Sequence, residues 1–202
     1  MNGKSKKKNE TLKYNCFLRL CKTICVSLIL GFSFLIPHSA QAQVKWHTPE
    51  EASTAKIGNR LFFFDFYTNW CGYCKKMDRE TFSDPTVAAI INKYYYPVKF
   101  NAEGNSQFQW NGQNYGPQKG ARGNVHSFAV ATLGRQMGFP TFALFNSNRR
   151  LMQSIPGFYP AKDFTVILWY FASGDCDKYP FERYSQIFDK EIRPVMEKAL
   201  AK

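Results

Sequence analysis

The sequence predicts an α/β fold: a central mixed β-sheet flanked by helices, with an inserted excursion and a C-terminal helical extension. Three observations point to it. Arg60-Leu-Phe-Phe-Phe-Asp-Phe-Tyr67 is apolar at odd and even positions alike and too short for a free-standing helix, which suits a strand buried on both faces. A helical stretch and a second apolar run, Tyr94 to Phe100, come next, and that order argues for a parallel strand-helix-strand unit with a right-handed crossover. Thr141 to Phe145, the loop Asn146 to Arg149, and Leu151 to Ile155 read as an antiparallel pair, so the sheet is mixed.

The flanking elements carry their own punctuation. Thr48-Pro49-Glu50-Glu51 opens a helix with a capping threonine, a proline in the first turn and a glutamate that completes a capping box; the helix is expected to run to about Ile57 and to end at Gly58-Asn59. A second helix opens at Cys71, and Ser83-Asp84-Pro85 restarts it with Ser83 or Asp84 as the cap. Between 101 and 124, Gly, Asn and Gln alternate with Phe108, Trp110 and Tyr115, and Asn111-Gly112 predicts a two-residue β-hairpin. These aromatics form either a small satellite core or a patch facing a partner. Helices are expected from about Val125 to Met137 and from Ala161 to Ala172, and the tail from Phe181 to Ala201 as one helix or a pair kinked at Pro194.

Of the formal charge of +12, the segment 1–42 contributes seven basic side chains against Glu10 alone, which leaves +6 for the remainder. That remainder is too weakly basic for a nucleic-acid binder, and no aromatic-basic motif accompanies it. After Lys22 an uncharged run, Ile24 to Ile36, leads through Pro37 to Ala40-Gln41-Ala42, the layout of a secretory signal cleaved after Ala42. The run falls short of the roughly 20 residues that span a bilayer, so no stable membrane anchor is expected. Residues 43–176 are read as the folded domain, with the insertion at about 101–124, and 177–202 as the extension. The expected location is periplasmic or secreted.

Cleavage leaves Cys71, Cys74 and Cys176, too few for a disulfide scaffold, and a close pair with one remote thiol looks like chemistry. Cys71-Gly72-Tyr73-Cys74 stands where a buried strand turns into a helix. Unpaired N–H groups at a helix start favour a thiolate on the first sulfur, and the two-residue spacing lets the second attack a mixed disulfide. Zinc would need four ligands, and His47, His126 and Cys176 lie at no paired spacing, so no metal is expected. Asp65 inside an apolar run is costly unless paired or functional. His126 is expected to cap or decorate a helix. Cys176, in the polar loop Ser173 to Lys178, is read as exposed and unpaired, incidental in the favoured reading and an intermolecular handle in the other.

The blocks Phe64 to Lys75, Val98 to Asn101, Gly138-Phe139-Pro140-Thr141-Phe142 and Gly157 together resemble the thioredoxin superfamily over about residues 44–172. The resemblance implies a thioredoxin fold and thiol:disulfide exchange with no cofactor beyond a redox-active Cys71–Cys74 disulfide. By it, Cys71 attacks, Cys74 resolves, Asp65 moves protons for Cys74, and Lys99 partners Asp65. Pro140 would be the cis-proline facing the sulfurs. The backbone of Phe139 would pair with an extended substrate, and Trp70, Gly72 and Tyr73 would complete the substrate surface, with Tyr67 in support. Tyr73 stands where reducing thioredoxins carry proline, Gly-Tyr also occurs in bacterial periplasmic disulfide isomerases, and the usual kinking proline after Cys74 is absent. The expected activity is reduction or isomerisation of exported protein disulfides, fed by a membrane electron donor. The alternative is a non-catalytic secreted adaptor with a structural disulfide.

Overall fold

The computed structural model describes residues 43–120, 123–134 and 137–202. The expected signal and its cleavage point after Ala42 lie outside the described residues.

Four strands form the central sheet: β1 (Leu61–Tyr67), β2 (Tyr95–Asn101), β7 (Thr141–Phe145) and β8 (Leu151–Pro156), in the order β2-β1-β7-β8. β1 pairs with β2 in parallel and with β7 antiparallel, so the sheet is mixed as the pattern of runs predicts. The outer edge of β2 is closed in part by the N-terminal segment, where His47 N–H donates to Pro97 and Lys99 N–H to the His47 carbonyl.

Strand alternation sends the β1 side chains to two cores. Phe63 faces one built from Met77, Phe82, helix α3 (Pro85–Tyr94) and helix α5 (Ala161–Ala172). Phe62, Phe64 and Phe66 face the other, with Ala52, Phe108, Trp110 and Phe128. Each fully buried Phe contributes about 1.5–3 kcal/mol of transfer free energy, so a strand with no polar face is held from both sides.

Helix α1 (Pro49–Thr54) has the expected capping box, with Thr48 and Glu51 bonding each other's backbone N–H, but it stops three residues before Ile57. Arg149 supplies the reason: its guanidinium donates to the carbonyls of Ser53 and Ala55, satisfying the helix end early. α2 (Gly72–Lys76) continues into a wider π-helical turn, Met77–Thr81, in place of a proline kink. Asp84, not Ser83, caps α3 through the N–H groups of Thr86 and Val87.

The excursion contains two hairpins where one was expected. β3 (Phe108–Trp110) and β4 (Gln113–Tyr115) turn at Asn111-Gly112, both residues at positive φ as this tight turn requires. β5 (Pro117–Gly120) and β6 (Gly123–His126) form the second, so the insertion runs on to His126. Helix α4 therefore spans only Ser127–Leu133, starting later and ending earlier than Val125 to Met137. The aromatics settle as core: Phe108 and Trp110 are buried and Tyr115 packs against them.

The tail forms α6 (Phe181–Ile187), a π-helical turn (Phe188–Ile192) and α7 (Arg193–Leu200). The irregularity precedes Pro194, which sits in the first turn of α7 where its missing N–H costs nothing, so it is not a mid-helix kink. Tyr184, Phe188 and Met196 are fully buried in the same core as α3 and α5.

Candidate active site

β1 ends at Tyr67, and Thr68 to Trp70 carry the chain to Cys71, the N-cap of α2. The two cysteines are joined in a disulfide with Cα atoms 5.3 Å apart. The backbone N–H of Cys74 points at Cys71 Sγ, 3.0 Å away. An N–H so placed would stabilise a thiolate there after reduction. Cys71 is only 4% exposed, while Trp70 and Tyr73 beside it are 68% and 64% exposed. The rim, more than the sulfur, is what a partner meets first.

Trp70 is held by the Glu103 carboxylate, which accepts from its indole Nε1, and its ring lies edge-on to Phe139. The Phe139–Pro140 peptide is cis, and Pro140 directly precedes β7, whose Thr141 pairs with Phe66 near the end of β1. Phe139 and Pro140 thus lie at the same end of the sheet as the disulfide. On the other side Tyr73 approaches Phe158, which Lys76 covers.

Asp65 lies two residues before the end of β1, and the parallel register places it beside Lys99. Lys99 Nζ donates to Asp65 Oδ2 at 2.6 Å. Asp65 is 1% exposed, and its Oδ1 is buried with no partner. Burial pushes its carboxyl up to about 6, against the pull of the Lys99 ammonium and with a small upward push from Asp78. Burial works against the charge on Lys99, but the two carboxylates outweigh it and its pKa rises.

Two residues of this site escape a reading of motifs. Asp78 also accepts from Lys99 Nζ. It lies four residues after Cys74, hence one helical turn further along the same side, and an acid there was the available signal. Glu103, which holds Trp70, had no signal in the sequence beyond standing just after β2.

The remaining candidates fall elsewhere. His126 is fully buried: its Nδ1 caps α4 by accepting from Phe128 N–H and its Nε2 donates to the Ser106 carbonyl, so both ring nitrogens are committed to structure. Burial lowers its pKa. Cys176 is not exposed as expected but half-buried, beside an open pocket of about 470 Å³ that Leu61 and Phe171 also line. Burial, then the charges of Asp177 and Asp175, raise its pKa and disfavour a thiolate. Among the described residues no three His, Cys, Asp or Glu side chains group as metal ligands, and no helix is long and apolar enough to cross a membrane.

A disulfide at the start of a helix, fed by the central strand of a mixed sheet, with a cis-proline at the same end, defines the thioredoxin superfamily. Residues 48–172 match the thioredoxin-like domain, and the chain belongs to that family. It is 32% identical over 74 residues to protein disulfide-isomerase 1 of Dictyostelium discoideum, covering 36% of this chain and 20% of that protein. It is 36% identical over 45 residues to the thiol:disulfide interchange protein DsbD of Vibrio vulnificus, covering 22% and 8%. The chain thus spans a fifth or less of the length of these curated relatives. Among solved structures it resembles a thioredoxin from Thermus thermophilus, with 19% identity and a TM-score of 0.46 over 64% of this chain and 87% of that one.

Proposed function

We propose that this chain is an exported thiol:disulfide oxidoreductase acting on protein substrates in the reducing or isomerising direction. The observation that carries this reading is the Cys71–Cys74 disulfide at a helix start, just after the strand that bears a buried, incompletely partnered Asp65. The names of the relatives, a disulfide isomerase and a thiol:disulfide interchange protein, support the same chemistry.

In reduction, the Cys71 thiolate attacks one sulfur of a substrate disulfide. A mixed disulfide forms and the first substrate thiolate leaves. Cys74 then gives its proton to the Asp65 carboxylate, and its thiolate attacks Cys71 Sγ, closing the Cys71–Cys74 bond and releasing the second substrate thiolate. Two electrons pass from the dithiol to the substrate. Lys99 holds the Asp65 carboxylate in place, and Trp70, Tyr73 and Phe139 supply the surface on which an extended substrate lies. The oxidised dithiol must then be reduced again, which in an exporting compartment calls for a membrane electron donor. A purely adaptor role is disfavoured because Phe108 and Trp110, the aromatics it would present, are buried.

Full-length Cys74→Ala protein, expressed in cells that export it, is expected to accumulate mixed disulfides through Cys71 that run as high-mass bands on non-reducing gels and collapse on reduction. Absence of captured proteins would reject the reading. The protein purified from the same cells is expected to have the intact mass of a chain beginning at Gln43; a mass that retains residues 1–42 would show that the signal is not cleaved there.

A further inference from the structure

Lys99 is not a simple partner of Asp65. Its ammonium faces two carboxylates at once, Oδ2 of Asp65 and Oδ1 of Asp78. One is buried; the side chain of the other is 48% exposed. The ammonium is enclosed by the rings of Trp46, Tyr67 and Phe82, whose centroids lie 4.8, 5.3 and 5.2 Å away. Lys99 is therefore held in one place, between an inner acid and an outer one. Asp78 reaches it from the π-helical turn Met77–Thr81, which follows the helix of the cysteines. The charged groups facing Asp65 and Lys99 are each other and Asp78, and the Tyr67 phenol from β1 is the other titratable group against the ammonium.

One cation cannot neutralise two carboxylates. While both acids are ionised, Asp78 draws part of the Lys99 charge outward and adds its own negative charge near Asp65, so Asp65 keeps more affinity for a proton than in an isolated ion pair. Once Asp65 has taken the proton, Lys99 would be a largely desolvated cation without a counterion if Asp78 were absent. With Asp78 present it keeps one. The three groups tolerate both protonation states of Asp65, as a carboxylate that must load and unload a proton each cycle requires.

We propose that Asp78 is a positioning residue for the proton step: by sharing the Lys99 ammonium with Asp65 it keeps the buried carboxylate basic enough to take the Cys74 proton and supports the lysine once that proton has arrived. The proposal rests on the dithiol reading above.

Reduced protein mixed with 5,5′-dithiobis(2-nitrobenzoate) separates the two steps. Attack by Cys71 releases one coloured thiolate, and resolution by Cys74 releases a second. In Asp78→Asn the pH midpoint of the second release is expected to fall by roughly half a unit or more, and its rate at pH 8 by roughly threefold, as a weaker base gives. Asp78→Glu is expected to restore both. A second measurement does not depend on turnover: the Asp65 carboxyl ¹³C titration of oxidised Asp78→Asn should move to lower pH. A second-release profile and an Asp65 titration both unchanged in Asp78→Asn would overturn the role of Asp78 while leaving the dithiol reading intact. A wild-type protein that releases no thiolate rapidly would overturn the dithiol reading and this proposal with it.

Discussion

Cys71→Ser is expected to bring disulfide reduction, assayed by insulin precipitation with dithiothreitol as the electron source, down to the uncatalysed rate. The loss should be about a thousandfold or more, as when an attacking nucleophile is removed. Cys71 is the sulfur that the Cys74 N–H addresses, and its sequence neighbours Trp70 and Tyr73 are exposed. A serine oxygen keeps the cap on α2 but is a poor nucleophile towards sulfur, so the fold should survive and the chemistry should not. Cys176→Ser serves as the control. It lies in a pocket lined by Leu61, at the start of β1, whereas Cys71 follows the end of that seven-residue strand, roughly 20 Å further on. Its removal should leave the rate unchanged. Residual activity in Cys71→Ser approaching wild type would mean that the reaction does not pass through this sulfur.

Asp65→Asn is expected to stabilise the oxidised protein at pH 7.5 while slowing resolution of the mixed disulfide. The carboxyl is shifted from 3.8 to about 6 on folding, mainly by burial and despite Lys99. A group whose pKa rises on folding binds more protons in the native state, so its contribution becomes less favourable as pH climbs from the unfolded value through the folded one. The cost is fully present above about pH 6 and absent below about pH 4. The rise to about 6 corresponds to about 3 kcal/mol, which a neutral amide of the same shape removes. Lys99 would keep Asp78 as its counterion, so the substitution does not strand the ammonium. Urea denaturation of oxidised wild type and Asp65→Asn at pH 7.5 and pH 4 measures this, with the gain expected at the higher pH and lost at the lower. A variant less stable than wild type at pH 7.5 would show that the Asp65–Lys99 bond outweighs the burial of the charge.

Features written in short stretches of sequence were legible. The capping box at Thr48 and Glu51, the Asp84-Pro85 helix start and the Asn111-Gly112 turn act through neighbours one to three residues away, and each occurs where its residues say. The strand Leu61–Tyr67 was legible because a run of phenylalanines has nowhere to go but between two layers. The second hairpin was not. Pro117 to Gly120 and Gly123 to His126 have no alternation of apolar residues and are mostly exposed, and the pair is anchored from outside by His126 N–H to Ala102 and by Ser127 to Gly116. Cys176 sits in a polar loop by composition, but that loop is packed beside α5, so its thiol is shielded.

The site divides the same way. The spacing of Cys71 and Cys74, and the anomaly of a carboxylate at Asp65, are properties of the chain itself, because a helix start and a buried strand follow from local pattern and hydrophobicity. Which partners that carboxylate has was decided only when β1 and β2 came into register and the turn after α2 swung Asp78 to the same ammonium. Charge interactions depend on distance and desolvation, and both are set by segments far apart in sequence; the resemblance named Lys99 as the partner, as the structure has it, but that Asp78 shares the same ammonium was decided by the tertiary structure.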